Sequence, residues 1–269
     1  MLILLTNDDG VRAEGIWALY RELASWAEVT VVAPDVERSA TGHALTIDLP
    51  LRAERVDLGP GRGPAWEVRG TPADCVKLGV RTVLNRAPDL VLSGINRGSN
   101  LGVDVFYSGT VSGAIEGALL GIPSVALSLA GRNDPLDYRP AARFARWLAA
   151  RVVERGLPSA CLLNVNVPAV TESELAGVAV TRLGLNRSYR DSFERRLDPR
   201  RRAYYWLVSQ PEEGDWEADT DIGAVRSRRI SVTPLHIDLT CHRLRQELST
   251  WDWPLPGRAG DRGEGGGDG

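Results

Sequence analysis

Apolar positions fall in two rhythms along this chain, and the rhythms alternate. Residues 2–6 form a continuous apolar run ending in Thr6, the signature of a strand buried on both faces. In residues 14–26, Ile16, Leu19, Tyr20 and Leu23 recur at helical spacing, and residues 29–33 are again apolar throughout. A strand, a helix and a second strand in that order predict a βαβ unit, whose crossover helix requires a parallel sheet.

Residues 46–68 break into short alternating pieces rich in Pro and Gly, a β excursion or a long loop. Thr71-Pro72-Ala73-Asp74 then opens a helix, with Thr71 as N-cap and Pro72 at the first helical position. The alternation continues with a strand at 89–93, a helix at 108–120, a strand at 124–129 and a helix at 141–155. A strand at 161–167 is expected to be the last of the core. No self-similar period marks a solenoid. The pattern predicts an α/β protein with a doubly wound, mainly parallel sheet, occupying residues 1–185.

After Thr181 the character changes. Residues 187–202 are dense in arginine, 204–208 alternate like a strand, and 220–232 supply a second strand-like stretch. The expected element is a C-terminal β-hairpin arm within residues 186–252, either solvated on the surface or paired with another subunit. Residues 253–269, Gly-rich from Pro254 onward, carry too little apolar surface to order themselves and are expected to be disordered.

Composition narrows the class further. A chain of 269 residues with 43% hydrophobic content can bury a sizeable core. Its formal charge of -3 gives no basic field for a nucleic-acid polymer. Cys75, Cys161 and Cys241 lack the paired spacing of a disulfide framework or a zinc site, which fits a reducing cytoplasmic setting. No stretch reaches the roughly 20 apolar residues of a membrane span. The opening residues 1–5 lack the basic leader of a signal peptide.

Candidate chemistry gathers at the ends of the predicted strands, where ligands bind in open α/β sheets. Asn7-Asp8-Asp9-Gly10 follows the first strand. Adjacent carboxylates in a dry crevice repel each other and call for a cation, although Asn, Asp and Gly are also ordinary turn residues. Arg38-Ser39-Ala40-Thr41-Gly42-His43 brings hydroxyls after the second strand, and the segment 93–102 brings Asn96 among three glycines. Ser108-Gly109-Thr110 stands where a helix begins, a position suited to phosphate or simply to an N-cap. Oxygen ligation by Asp8, Asp9, Ser39 and Asn96 suits a hard divalent ion, Mg²⁺ or Mn²⁺, rather than zinc.

Rival chemistries fit less well. Aspartyl-phosphate phosphatases need spaced acids for separate nucleophile and acid/base roles, and here the acids are adjacent. A zinc deacetylase would want histidines by the first loop, which has none. A nucleotide-binding regulatory module would be favoured by G-x-G-x-x-G after the first strand, where Asn7-Asp8-Asp9-Gly10 stands instead.

The motifs together resemble the SurE family, the stationary-phase survival proteins that act as metal-dependent 5'-nucleotidases. The resemblance is carried by Leu5-Thr6-Asn7-Asp8-Asp9-Gly10, by Pro34 and Ser39, and by Arg69-Gly70-Thr71-Pro72-Ala73-Asp74-Cys75. It continues through Ser93-Gly94-Ile95-Asn96-Arg97-Gly98-Ser99-Asn100 and Tyr107-Ser108-Gly109-Thr110-Val111. Asn164-Val165-Asn166-Val167-Pro168 and Val232-Thr233-Pro234-Leu235 extend it to residue 235.

That resemblance implies a Rossmann-like core whose C-terminal arm serves dimer or tetramer assembly. It implies hydrolysis of nucleoside 5'-monophosphates, with 3'-monophosphates and short polyphosphate as further substrates, by a metal-activated water. One divalent ion per subunit is implied on Asp8, Asp9, Ser39 and Asn96, and phosphate contacts on Asn96, Ser108, Gly109 and Thr110. Asp8, Asp9 and Asn96 become the expected catalytic residues, with Asp8 or Asp9 a candidate to accept the water's proton. His43 is a candidate to assist the leaving group, against the commoner case of a structural histidine.

Overall fold

The computed structural model describes residues 1–131, 135–185, 189–211 and 216–253. Its centre is a nine-stranded sheet. The parallel part is formed by β1 (Leu2–Thr6), β2 (Glu28–Pro34), β5 (Leu90–Arg97), β6 (Ser124–Ala130) and β7 (Cys161–Pro168), in the order β2-β1-β5-β6-β7. Strand order therefore reverses between β1 and β5, which opens a crevice at their carboxyl ends.

Helices cover both faces. α1 (Glu14–Leu23) and α4 (Arg139–Arg155) pack on one side with Ile3 and Leu5 of β1, while Leu4 packs with Cys75 and Val76 of α2 (Pro72–Leu78) on the other. Successive residues of a strand point to opposite faces. An apolar residue is thus favoured at every position, and all five residues of β1 are buried, Thr6 at its end being the one polar residue among them. Beside α2 lies α3 (Gly109–Leu119), whose Val111, Ala114 and Ala118 pack against Ala126 of β6. Burying each Leu or Ile side chain contributes about 1.5–3 kcal/mol.

Local signals are obeyed where they were strongest. Thr71 Oγ accepts from the Asp74 amide at 3.1 Å, and the Asp74 carboxylate accepts from the Thr71 amide at 2.9 Å, a reciprocal cap for α2. Trp17 of α1 is fully buried and its indole N–H donates to the Val11 carbonyl at 2.7 Å. Gly15 lets α1 begin directly against β5: a Cβ there would stand 2.0 Å from the Ile95 carbonyl oxygen. The first loop and the end of β5 are consequently locked to the same helix.

The excursion at 46–68 resolves into β3 (Ala53–Val56) and β4 (Ala65–Val68), which extend the sheet beyond β2. Two expectations need correction. The strand at 161–167 is not the last of the core, because β11 (Ile230–His236) pairs antiparallel with β7, and β8 (Val178–Val180) pairs with β11. The stretch 220–232 is not the second strand of the arm: it begins with a short helix, α5 (Asp221–Arg226), capped by Thr220, and then enters β11. The arm is instead the hairpin β9 (Tyr189–Leu197) and β10 (Ala203–Pro211), a separate two-stranded sheet. Its first strand lies inside the arginine-dense segment, where alternation is obscured because both faces carry charged and aromatic residues.

Residues from Asp238 onward form a second compact unit, whose described part holds α6 (His242–Leu248) and the stacked rings of Trp251 and Trp253. The expected disordered tail, from Pro254, lies outside the described residues. Among the described residues no helix is long and apolar enough to cross a membrane.

Candidate active site

The turn after β1 is closed by Asn7, not by the acids that follow it. Asn7 Nδ2 donates to the Gly10 carbonyl at 3.0 Å, and its Oδ1 accepts from the Gly10 amide at 3.2 Å. The carboxylates are thereby released from turn duty. Asp8 is buried and takes the Thr110 hydroxyl on Oδ1. Asp9, half-buried, accepts the Arg97 amide on Oδ2 at 3.0 Å. One acid is thus fixed against the start of α3 and the other against the end of β5.

Burial pushes the Asp8 carboxyl above its usual range, although hydrogen bonds from Thr110 oppose the rise. Burial, and then the charge of Asp8, push Asp9 up to about 6. Two acids held side by side in this way disfavour their own ionisation. A bound cation would reverse that penalty.

Asn96, at the end of β5, is nearly buried and commits its amide nitrogen to the Gly98 carbonyl at 2.9 Å, so its oxygen is the atom presented to a ligand. Ser39, on the exposed loop after β2, donates its hydroxyl proton to Glu37 at 2.6 Å and retains oxygen lone pairs. Two carboxylates, an amide oxygen and a hydroxyl make an all-oxygen donor set, which fits a hard divalent ion. Among the described residues no group of three or more His, Cys, Asp or Glu side chains is placed to hold a metal.

Ser108 caps α3, its Oγ accepting the Val111 amide at 3.0 Å. Gly109 admits close packing, since a Cβ on it would stand 2.8 Å from Asp8 Cβ. The helix terminus, with its positive dipole end, therefore packs directly on Asp8. Asp8, Ser39, Asn96 and Ser108 line a cavity of about 630 Å³; Asp9, Gly109 and Thr110 are not among its lining residues. Thr110 serves Asp8 in this structure. His43 is also absent from that lining and instead meets Glu116 at 3.1 Å.

Comparison with known proteins identifies the family. The model of the family described as survival protein SurE matches residues 3–190. The chain belongs to the SurE family. A 5'-nucleotidase SurE of Moorella thermoacetica is 53% identical over 260 residues, covering 96% of this chain and 99% of the relative. One from Heliobacterium modesticaldum is 51% identical, covering 93% and 92%. The crystal structure of a SurE protein from Aquifex aeolicus superposes with a TM-score of 0.81 at 42% identity, over 93% of this chain and 98% of that one.

In this SurE-family chain, several supporting residues escaped the reading from strand ends. Asn100, in the loop after β5, donates its amide nitrogen to Ser128 Oγ at 2.8 Å, and its backbone N–H donates to Asn166 Oδ1 at 2.8 Å. Asn164 and Asn166 return amide N–H bonds to the Asn100 carbonyl at 2.8 and 3.1 Å. The signal was the polar alternation of Asn164 and Asn166 inside an otherwise apolar strand. Asp221, fully buried, accepts the amides of Gly102 and Gly184, each at 2.8 Å, and so pins the far end of the same loop.

A third tie reaches the Ser39 loop. Glu116 of α3 is buried and bridges His43 at 3.1 Å and Lys77, the chain's single lysine, at 2.8 Å. Burial alone pushes the Glu116 carboxyl up, but hydrogen bonds from His43 and Lys77, with their charges, outweigh it and hold it below the usual 4.5. A lowered folded value means stabilisation that is present above the unfolded pKa and lost as pH falls through the folded one. Glu116→Gln is expected to cost about 1–2 kcal/mol at pH 7, because its partners are partly solvated. Urea midpoints measured at pH 7 and below pH 4 should show the deficit shrinking on acidification; a constant deficit would contradict the charge-based account.

Proposed function

We propose that this chain hydrolyses nucleoside 5'-monophosphates to nucleoside and phosphate, using one divalent ion, Mg²⁺ or Mn²⁺, held by Asp8, Asp9, Ser39 and Asn96. The observation that carries the reading is the buried carboxylate of Asp8 packed against the capped start of α3 at the edge of one cavity. The Asp8 carboxylate for a cation and the Ser108 cap of α3 for a phosphate then border the same space. The relatives' shared name, 5'-nucleotidase, supports the substrate class.

When bound, the ion supplies a Lewis acid that polarises phosphoryl oxygen and lowers the pKa of a coordinated water. The chain's own residues do the rest. Asp8 and Asp9 set the negative charge that retains the ion, and the Thr110 hydroxyl fixes which way Asp8 faces. Asn96, whose nitrogen is tied to the Gly98 carbonyl, would offer its amide oxygen to the ion. The α3 terminus at Ser108, Gly109 and Thr110 favours the charge that accumulates on the equatorial oxygens during in-line displacement. The same constellation would accept 3'-monophosphates and short polyphosphate, which present the same phosphoryl group. A homodimeric or homotetrameric cytoplasmic enzyme is the corresponding assembly, supported by the exposed aromatic residues of the hairpin and by free cysteines.

A phosphate-release assay tests the reading. Turnover of nucleoside 5'-monophosphates should vanish in excess chelator and return on adding Mg²⁺ or Mn²⁺. Full activity in chelator would overturn the metal assignment, and absence of turnover with every metal would overturn the activity.

A further inference from the structure

The cavity beside the acidic pair is larger than a phosphate and an ion require, and its far wall does not belong to the parallel core. Asp191, Leu207 and Ser209 of the β9–β10 hairpin line the same space as Asp8, Asn96 and Ser108. We propose that the hairpin forms the nucleoside half of the site, so that Leu207 and Ser209 decide which phosphate esters are accepted. The proposal rests on the phosphomonoesterase reading above and adds the source of its specificity.

Register explains why these side chains act together. Ser209 pairs with Asp191 across the hairpin, and Leu207 lies two residues from Ser209 on the same strand, so all three project from one face. The Ser209 hydroxyl donates to Asp191 Oδ1 at 2.6 Å, which presents a hydroxyl oxygen and a carboxylate at the wall. Such acceptors match ribose hydroxyls or an exocyclic amino group. Leu207 is 58% exposed, an apolar side chain left facing the cavity rather than the core.

Tyr107 lines the cavity from the core side. It adjoins the helix cap at Ser108, the residue is 57% exposed, and its carbonyl accepts the Gly42 amide at 3.0 Å, which steadies it against the Ser39 loop. An aromatic face beside the phosphate position, with an aliphatic side chain on the hairpin wall, suits the two faces of a nucleobase. The volume of about 630 Å³ is that of a small-molecule pocket, within the usual span of about 300–1,000 Å³.

The test compares a nucleotide with a small ester lacking a base. For Leu207→Ser in the full-length protein, kcat/KM should fall about tenfold more for adenosine 5'-monophosphate than for glycerol phosphate, mostly through KM. Ser209→Ala should shift the same ratio in the same direction and serves as the second variant if Leu207→Ser lacks a cooperative melting transition. Equal losses on both esters, or an unchanged ratio, would overturn the proposal by assigning the hairpin a structural role only. If the unsubstituted protein turns over neither ester, the activity reading fails instead. Calorimetry then decides this one: binding of adenosine monophosphate, but not of inorganic phosphate, should weaken about tenfold in Leu207→Ser, and equal weakening or none would reject it.

Discussion

Asp8→Asn is expected to leave the fold intact while lowering phosphate release by about 10³-fold, comparable to deleting a principal electrostatic contributor in other active sites. The two halves of that expectation have separate causes. Asn has the shape of Asp, and its side-chain oxygen can still accept the Thr110 hydroxyl that now binds Asp8 Oδ1. It also removes a buried charge whose ionisation burial opposes. Without metal, the variant should therefore melt at or above the temperature of the unsubstituted protein. With metal, the order should invert. An ion at 100 times its Kd stabilises the folded state by about 2.7 kcal/mol, and the variant should forfeit most of that shift. Thermal melts with and without Mn²⁺, beside phosphate release, check both. A variant that melts low without metal would mean that Asp8 is needed for packing, and one that keeps full turnover would remove it from the mechanism.

How much of this was visible in the chain depends on how local the determining physics is. β1, α1 and β2 were legible because a strand buried on both faces must be apolar at every position, and the helix between them has one apolar stripe. The cap of α2 was legible because Thr71 and Asp74 satisfy each other within one turn. β11 was not, since Pro234 interrupts it and its partners, β7 and β8, are distant in sequence. The hairpin was misplaced because a two-stranded sheet with polar residues on both faces loses the alternation that marks a half-buried strand.

The candidate site divides along the same line. Position and adjacency alone left Asp8 and Asp9 open between a turn and a cation site, and the loop chemistry of Ser39, Asn96 and Ser108 at the same sheet edge made them candidate ligands. The division of labour was hidden: Asn7 closes the turn, Thr110 orients Asp8, and Glu116 ties the Ser39 loop to α3 through His43. The first is a local turn within four residues, whereas the last two depend on which side chains the fold brings together and join residues more than seventy positions apart. The same holds for Leu207 and Ser209, whose place at the cavity follows from the hairpin's path.

Gly109→Ala is expected to lower kcat by about 10²-fold, although helix propensity taken alone would make the change favourable by about 1 kcal/mol. The added methyl would stand 2.8 Å from Asp8 Cβ and 2.9 Å from Asp8 Oδ2. Something must move, and Asp8 has little room to retreat: its carbonyl accepts the Arg38 amide at 2.7 Å and its other carboxylate oxygen holds the Thr110 hydroxyl. The start of α3 must then lift away, or the carboxylate must turn, and either change separates the helix terminus from the acidic pair. Positional errors of about 1 Å at such a site cost about 10²-fold in rate. Steady-state kinetics beside a thermal melt separates the effects. A kcat deficit without a lowered melting temperature would place the damage in the geometry of the site, whereas wild-type kcat would show that Asp8 and the α3 terminus do not act as one unit.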